Sequence, residues 1–380
     1  MQNEDSFGTV RQIYDGVLLP DTQVRTFRHI DRLFPSRTIA RGPQARPLPG
    51  RASGLQNFAF ASQGKDYDLY DFLSINRVGG LLVLKNGEVR YETYQLGNTE
   101  STRWMSMSIA KTVTATLVGV AIQDGCIKSL ADPITRYLPT LNHSAYDGVT
   151  VEQLLTMTSG VQWDETYTNP LSDRRRMLDL QIAQQPGAIL DMMAGLPRAA
   201  EPGSRWNYST GETHIAGALV RAATQCSLAD YFSERIWSKL GTESDATWWL
   251  ESPDGLEVGG SGISASLRDY GRFGLFLLNR GIIDGVEILP AGWMQAASRP
   301  FLASGAKIDY GYMVWPLPDT RHPVHQGAFQ AIGIFGQHLY VNPAQNLVAM
   351  VWGALPKPMF KDQTQIQVED FFAGLCVALQ

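Results

Sequence analysis

Strand-forming sequence occurs near both ends of this 380-residue chain, and a long helix-forming stretch separates the two groups. Near the start, residues 79–94 alternate around Asn86-Gly87, the strongest short signal for a β-hairpin. Towards the end, residues 337–341 and 347–352 form a second hairpin pattern around Asn342-Pro343. These patterns predict an antiparallel sheet built from both termini, flanked by helices and carrying an inserted, mostly helical lobe.

The chain is long enough for two lobes, so we expect an α/β fold of the α+β type. Residues 1–50 are predicted to form an N-terminal arm packed on the body. Residues 51–107 and 263–380 would form the sheet lobe, and residues 108–262 the helical lobe. The active site would then lie between the two lobes.

Local signals place further elements in the second half of the chain. Ser266-Leu267-Arg268-Asp269 is similar to a capping box that opens a helix over Tyr270–Leu278. Another hairpin is predicted over Ile282–Ile288. The apolar spacing of Gln363–Leu379 predicts an amphipathic C-terminal helix.

The composition bounds the function classes. The net charge of −5 gives no basic surface for nucleic acid, and no apolar run approaches the ~20 residues that span a bilayer. Three distant cysteines and six histidines without a His-Glu-x-x-His pattern predict no disulfide framework, metal or other cofactor. The polar, acidic start at residues 1–5 favours a cytoplasmic location.

A serine and a lysine one helical turn apart, Ser108 and Lys111, stand where strand-like sequence changes to a helical pattern. Positions i and i+3 share one helix face, so the lysine amine can lie beside the serine hydroxyl. Burial disfavours the charged amine and lets it take the serine proton. Free N–H groups at the helix start suit an oxyanion formed there.

The Ser-x-x-Lys spacing occurs three times, because Ser62 and Ser304 also precede a lysine by three residues. Only Ser108 is followed by a long apolar helical pattern, which ends at Gly125. In the alternative reading, Ser108 is a simple helix cap and Lys111 a solvated first-turn residue. An isolated match would favour that alternative, so the preference for catalysis depends on further elements.

Tyr208 is a candidate for the second step of such a reaction. It ends the tight loop Glu201–Asn207 and precedes the helical run His214–Val220. A tyrosine hydroxyl held near a lysine amine can accept and donate a proton, so Tyr208 could protonate a leaving group. Any one of the 14 tyrosines, taken alone, would be interpreted as a packing residue.

Together, these motifs resemble the serine β-lactamase-like hydrolases, which include penicillin-binding proteins and class C β-lactamases. The resemblance covers most of the chain and looks strongest to 6-aminohexanoate-dimer hydrolases and to esterases of β-lactamase fold. The matching segments are Thr26–His29, Ser108–Lys111, Leu154–Val161, Trp163–Tyr167, Tyr208-Ser209 and Gly333–Gln337.

The resemblance implies a serine hydrolase that forms a covalent acyl-enzyme. In that family Ser108 would be the nucleophile, Lys111 its base and Tyr208 the proton relay. The alternative of another class is a non-catalytic binding protein on the same scaffold. The intact set of three residues argues against this alternative, because a pure binding protein does not need all three.

The third element of the family lies on a strand edge, and here it matches Ala331-Ile332-Gly333. The amide of Ile334 would then join that of Ser108 in an oxyanion hole. His325-Gln326-Gly327 is an alternative position for this element. We favour residues 331–333 because a strand pattern follows them directly.

Departures from the family pattern point to the substrate. Thr210 stands where β-lactamases and penicillin-binding proteins usually carry Asn, and residues 331–333 contain no Lys to hold a substrate carboxylate. We therefore expect small carboxyl esters or linear amides, with β-lactamase or D,D-peptidase activity as the alternative. The resemblance makes Tyr167 a candidate for the amide nitrogen, or else an ordinary exposed aromatic residue.

The remaining candidates for substrate contact are Trp163, on the loop that also carries Tyr167, and Gly260, in a glycine-rich segment. The expected partner is a small-molecule ester or amide. The sequence leaves open whether the chain forms a homodimer.

Overall fold

The computed structural model describes residues 7–50, 55, 57–317, 322–362 and 364–380. The acidic start, on which the cytoplasmic expectation depends, lies outside these residues. Within the described ranges, no helix is both long enough and apolar enough to cross a bilayer.

The described residues form helices and strands throughout. The α-helices are α1 Val10–Asp15, α2 Pro20–Arg28, α3 Leu69–Ile75, α4 Ile109–Gln123, α5 Val151–Leu155, α6 Asp173–Ala183, α7 Ala188–Ala194, α8 Thr210–Thr224, α9 Leu228–Arg235, α10 Leu267–Leu278, α11 Trp293–Ala297 and α12 Val368–Ala378. The strands are β1 Ser36–Ile39, β2 Ala59–Ser62, β3 Lys65–Asp68, β4 Val78–Lys85, β5 Glu88–Tyr94, β6 Arg103–Met105, β7 Ala246–Trp249, β8 Ile263–Ser266, β9 Ile282–Ile283, β10 Val286–Glu287, β11 Phe301–Ala303, β12 Ala306–Ile308, β13 Trp315–Pro316, β14 Phe329–Gly333, β15 Gln337–Asn342 and β16 Leu347–Gly353.

The larger sheet has six antiparallel strands in the order β13-β14-β15-β16-β4-β5. Strands from the two ends of the chain meet where β4 pairs with β16, with Leu82 opposite Met350. Asn86 and Gly87 form the β4–β5 turn with φ of 55° and 77°, values that Asn and Gly tolerate best. The predicted hairpins and the antiparallel sheet built from both termini are confirmed.

Both faces of this sheet are covered. Because strand side chains alternate, Leu82 belongs to the core on one face, where Gly271 lets α10 approach closely. Val83 belongs to a second apolar cluster on the other face, together with Phe371 and Phe372 of α12. The near-continuous apolar run of β4 thus reflects burial on both sides.

A second, four-stranded antiparallel sheet has the order β1-β7-β8-β6. Its edge strand β1 lies within the first fifty residues, so this segment supplies a strand as well as two helices. Strand β6 leads directly into the turn that carries Ser108. The division into residues 1–50, 51–107 with 263–380, and 108–262 stays a prediction.

The boundaries of two predicted helices can be compared with the structure. The side chain of Ser266 accepts a hydrogen bond from the Asp269 amide and caps α10. The C-terminal helix begins at Val368, later than predicted, and Gln363 lies outside the described residues. The Asn76 side chain bonds both the N–H and the C=O of Ile366, so these groups are satisfied outside a helix.

Candidate active site

Ser108 follows a strained turn between β6 and α4. Met107 has φ of 43°, a left-handed conformation that costs a non-glycine residue about 1–3 kcal/mol. Ser106 holds the turn against β8, since its N–H donates to the Ile263 carbonyl and its Oγ accepts from the Ile263 N–H at 3.1 Å. Ser106 Oγ also donates to the Met107 carbonyl at 3.0 Å. The turn therefore sets Ser108 at the start of α4.

Lys111 is a buried amine beside this serine. Its Nζ lies 3.0 Å from Ser108 Oγ and donates to the Gly260 carbonyl at 3.0 Å. Burial is the main cause that lowers the pKa of Lys111 to about 7, while the Glu165 carboxylate raises it and Arg174 lowers it further. A large fraction of the amine is thus neutral near pH 7, and the solvated first-turn reading of Lys111 is wrong.

Gly260 contacts the lysine rather than a substrate cavity. A Cβ at this position would lie 3.1 Å from Lys111 Nζ and 2.8 Å from the Thr210 methyl group. The glycine therefore lets its own carbonyl reach the amine. Gly260, which the sequence predicted as a substrate contact, is not among the described residues that line the large cavity near Tyr208.

Tyr208 lies on the other side of the amine, with Lys111 Nζ 5.2 Å from the centre of its ring. Burial, and then the charge of Glu165, raises the pKa of Tyr208, whereas its hydrogen bond with Ser108 lowers it. Tyr310 and Trp315 fix the ring, with centroid distances of 5.8 and 5.6 Å. The phenol stays protonated at neutral pH and can donate a proton, so Lys111 is the better base.

The two other Ser-x-x-Lys matches have different surroundings. Ser62 ends β2 of a hairpin, and its hydroxyl donates to Asp370 at 2.6 Å. Ser304 forms the turn between β11 and β12 with φ of 51°. Neither serine begins a helix. This agrees with the sequence, in which only Ser108 is followed by a long apolar helical pattern.

A cavity of about 740 Å³ adjoins this site, and its walls combine aromatic, aliphatic and polar residues. The lining residues are Glu165, Thr166, Tyr167, Thr168, Trp206, Asn207, Tyr208, Trp315, Ile332, Gly333, Ile334, Pro358, Met359 and Lys361. Three residues predicted to bind substrate, Tyr167, Ile332 and Gly333, line this cavity. Ala331 is buried in the core, and Trp163 lines a separate, smaller cavity.

The end of β14 lies beside the nucleophile turn. A Cβ on Gly333 would lie 2.9 Å from the Ser106 carbonyl oxygen, so only a glycine allows this approach. Within the described part of the chain, no acceptor is recorded for the amide N–H of Ser108 or of Ile334. These two N–H groups are available for an oxyanion.

His325, at the alternative position for the third element, makes contacts within the fold. His325 is buried, with Nδ1 3.0 Å from the Tyr340 hydroxyl and Nε2 3.0 Å from the Glu369 carbonyl. His325 packs against α12 and does not belong to the cavity walls described above. Geometry therefore favours residues 331–333 over His325-Gln326-Gly327.

Some cavity residues were not predicted from the sequence. Trp206 lies two residues before Tyr208 in the same loop, and Glu165 lies between the two candidates Trp163 and Tyr167, so their positions offered a signal. Trp315 and the segment 358–361 carry no local pattern that connects them to Ser108. Trp315 reaches the cavity because β13 pairs with β14. The segment 358–361 reaches it through a hydrogen bond from the Met359 N–H to the Ile334 carbonyl.

Comparison with known proteins extends over most of the chain. It is 26% identical over 347 residues to 6-aminohexanoate-dimer hydrolase of Paenarthrobacter ureafaciens, covering 87% of this chain and 85% of the relative. It is 25% identical over 335 residues to esterase EstB of Burkholderia gladioli, covering 71% and 84%. A solved structure of a presumed 6-aminohexanoate-dimer hydrolase from Bacillus anthracis superposes with a TM-score of 0.81 at 26% identity, covering 94% of each chain.

The family model named Beta-lactamase matches residues 74–370. This range contains the Ser108 turn, the buried lysine, Tyr208 and all strands of the six-stranded sheet. The chain belongs to the beta-lactamase family.

Proposed function

We propose that this protein is a serine hydrolase that cleaves small carboxyl esters or linear amides through an acyl-enzyme on Ser108. The observation that carries the proposal is the Lys111 amine, buried and 3.0 Å from Ser108 Oγ. Its pKa of about 7 supplies a neutral acceptor for the serine proton. The relatives named 6-aminohexanoate-dimer hydrolase and esterase EstB support a hydrolase.

In the acylation step, Lys111 takes the proton of Ser108 while Oγ attacks the substrate carbonyl carbon. The carbonyl π electrons move to oxygen, and the N–H groups of Ser108 and Ile334 would stabilise the resulting oxyanion. Losing one such donor typically costs about 3–4 kcal/mol of transition-state stabilisation. Collapse of this intermediate breaks the bond to the leaving alcohol or amine.

Tyr208 would protonate that leaving group, and the Lys111 ammonium would return a proton to the phenol. Water then attacks the acyl carbon and gives up its proton to the same groups. Ser108 leaves as a hydroxyl, so the carboxylic acid is released and the starting protonation states are restored. The high pKa of Tyr208 agrees with a proton donor rather than an initial base.

The cavity supports an ester or linear amide over a β-lactam. Residues 331–333 of β14 carry no lysine, so the strand edge offers no side-chain cation to a carboxylate; the lysine of this cavity, Lys361, lies instead on the segment that follows β16. The walls around Tyr167, Trp206 and Trp315 are largely aromatic and suit an apolar acyl or amine group.

A fluorophosphonate probe followed by peptide mass spectrometry tests the nucleophile. We expect one adduct on Ser108, none in a Ser108→Ala variant, and an unchanged adduct in Ser62→Ala, the matched serine of another Ser-x-x-Lys sequence. An adduct on another serine would reject the assignment. Full hydrolysis by a Lys111→Ala variant would instead reject the role of the lysine.

A substrate panel then tests the class. We expect turnover of short p-nitrophenyl esters or linear ω-amino acid amides, and none of the chromogenic cephalosporin nitrocefin. Nitrocefin turnover, or stable labelling by fluorescent penicillin, would favour the β-lactamase or D,D-peptidase alternative.

A further inference from the structure

Glu165 connects two elements of the site through hydrogen bonds at both of its carboxylate oxygens. Its Oε2 accepts from the Trp163 indole N–H at 2.5 Å and from the Thr210 N–H at 2.8 Å. Its Oε1 accepts from the Thr210 hydroxyl. Thr210 begins α8, two residues after Tyr208. The carboxylate therefore joins the cavity wall around residues 163–168 to the segment that carries Tyr208.

The position also suits a negative charge. The N–H groups in the first turn of an α-helix attract anions, and Glu165 accepts from the first one of α8. Its carboxylate lines the same cavity as Tyr208. Among the described residues, no Lys, Arg or His forms an ion pair with Glu165.

The surroundings of Lys111 show what this charge opposes. The amine contacts Ser108, the Gly260 carbonyl and the face of Tyr208, none of which carries a formal charge at neutral pH. Two charged groups act on its pKa beyond burial: Glu165, which raises it, and Arg174, which lowers it. Arg174 is itself buried and donates to the Tyr14 hydroxyl.

We propose that Glu165 is a positioning residue with two roles: it ties the cavity wall to the Tyr208 segment, and it places a negative charge near Lys111. Thr210 links the two groups, since its hydroxyl bonds Glu165 while its methyl group and the Lys111 amine both lie against Gly260. The second role deepens the proposed function, on which it rests. Without that charge, Arg174 and burial act on the amine unopposed, and the base becomes weaker. With it, the amine keeps enough basicity to remove the serine proton.

The Glu165→Gln variant separates the charge from the hydrogen bonds. The glutamine carbonyl oxygen can accept from the Trp163 and Thr210 N–H groups, and its NH2 can donate to the Thr210 hydroxyl, which turns to become the acceptor. All three contacts are thus retained, and only the charge is lost. A neighbouring opposite charge typically changes a pKa by 1–3, so we expect the Lys111 titration to move about one pH unit lower.

The titration is read directly, without a substrate. The chain has eight lysines, so protein labelled with 13C at lysine Cε gives a sparse NMR spectrum, in which Lys111→Arg identifies the Lys111 signal. Asp164→Asn is the matched control, because it removes a neighbouring negative charge that acts on Thr166 and Asn169 rather than on Lys111. Its Lys111 titration should stay within about 0.2 pH unit of the wild type.

A second variant keeps the inference testable if Glu165→Gln folds poorly. Thr210→Val removes one hydrogen bond of the tie and keeps the charge, so the Lys111 titration should stay in place. A Lys111 titration that does not move in Glu165→Gln, or that moves equally in Thr210→Val, would overturn the electrostatic role.

The pH dependence of p-nitrophenyl ester hydrolysis gives an independent readout. The acid limb of kcat/KM should follow the NMR titration and move to lower pH in Glu165→Gln. If the wild-type protein does not hydrolyse the ester, that result counts against the proposed function. The NMR experiment would still decide the role of Glu165, because it needs no substrate.

Discussion

Lys111 illustrates how a single side chain can be useful for chemistry and unfavourable for folding. Its pKa is lowered from the ordinary 10.5 to about 7, mainly by burial. Between those pH values the unfolded chain holds a proton that the folded chain does not. The shift corresponds to roughly 5 kcal/mol against the folded state below pH 7, and this cost fades as the pH rises towards 10.5.

A Lys111→Met variant should therefore be more stable than the wild type and inactive. Loss of two hydrogen bonds, at about 1 kcal/mol each, leaves a net gain of about 2–3 kcal/mol at pH 6–7. The gain should shrink or reverse near pH 10.5, where the lysine is neutral in both states. Urea unfolding at pH 6, 8 and 10 measures it. A gain independent of pH would mean that packing, not charge burial, explains the difference.

At the scale of elements, the site depends on how closely β14 approaches the turn before α4. Gly333 packs against the Ser106 carbonyl, and the following amide belongs to Ile334. The strained φ of Met107 is held by the contacts of Ser106 with β8. Three elements from separate parts of the chain thus fix the relative positions of Ser108 and the second N–H donor.

A Gly333→Ala variant should disturb this approach. Its Cβ would lie 2.9 Å from the Ser106 oxygen and 2.4 Å from Gln337 Oε1, so β14 must shift. A displacement of about 1 Å can lower the rate about 100-fold, and we expect kcat/KM to fall by that order. Gly195→Ala is the control, because its nearest neighbour is 3.5 Å away and its activity should be unchanged. Wild-type kcat/KM in Gly333→Ala would contradict the proposed oxyanion hole.

Local signals explain which elements the sequence predicts well. The turn residues Asn86-Gly87 predict the hairpin of β4 and β5 from local sequence alone. The apolar run after Ser108 predicts α4 in the same way. Trp315 reaches Tyr208 only because β13 pairs with β14, and β1 joins its sheet through β7, more than two hundred residues later. The role of Glu165 depends on three donors from two segments, which no spacing rule relates. The cavity is therefore harder to predict from sequence than the nucleophile, because its residues are brought together by long-range pairing.

At the scale of the whole molecule, the described residues form two apolar cores on opposite faces of one sheet. The core with α10 extends to α4 and the active site, whereas the other is formed by α3, α12 and the outer face of β4 and β16. Phe371 stacks on Phe72 in that second core, with ring centroids 3.7 Å apart. The sheet separates this second core from Ser108 and Lys111.

A Phe371→Ala variant should separate stability from activity. Loss of a fully buried phenylalanine typically costs about 3–5 kcal/mol, while kcat of the folded fraction at low temperature should stay within about twofold. Val377→Ala on the same helix is the control, because that side chain is 60% exposed and should change stability by less than about 0.5 kcal/mol. Calorimetry measures the stability. Titration of the active site with the fluorophosphonate probe gives the concentration of active protein from which kcat is calculated. A large fall in kcat would show that the second core also shapes the site.

The pairing of β4 with β16 has a consequence for synthesis of the protein on the ribosome. Ser108 and Lys111 emerge early, but Gly333, Ile334 and the strand that closes the sheet are translated near the end. A nascent chain therefore carries the proposed nucleophile and its amine without the proposed second N–H donor. We expect hydrolytic competence to arise only when the last strands have left the exit tunnel, so that an arrested chain is inert.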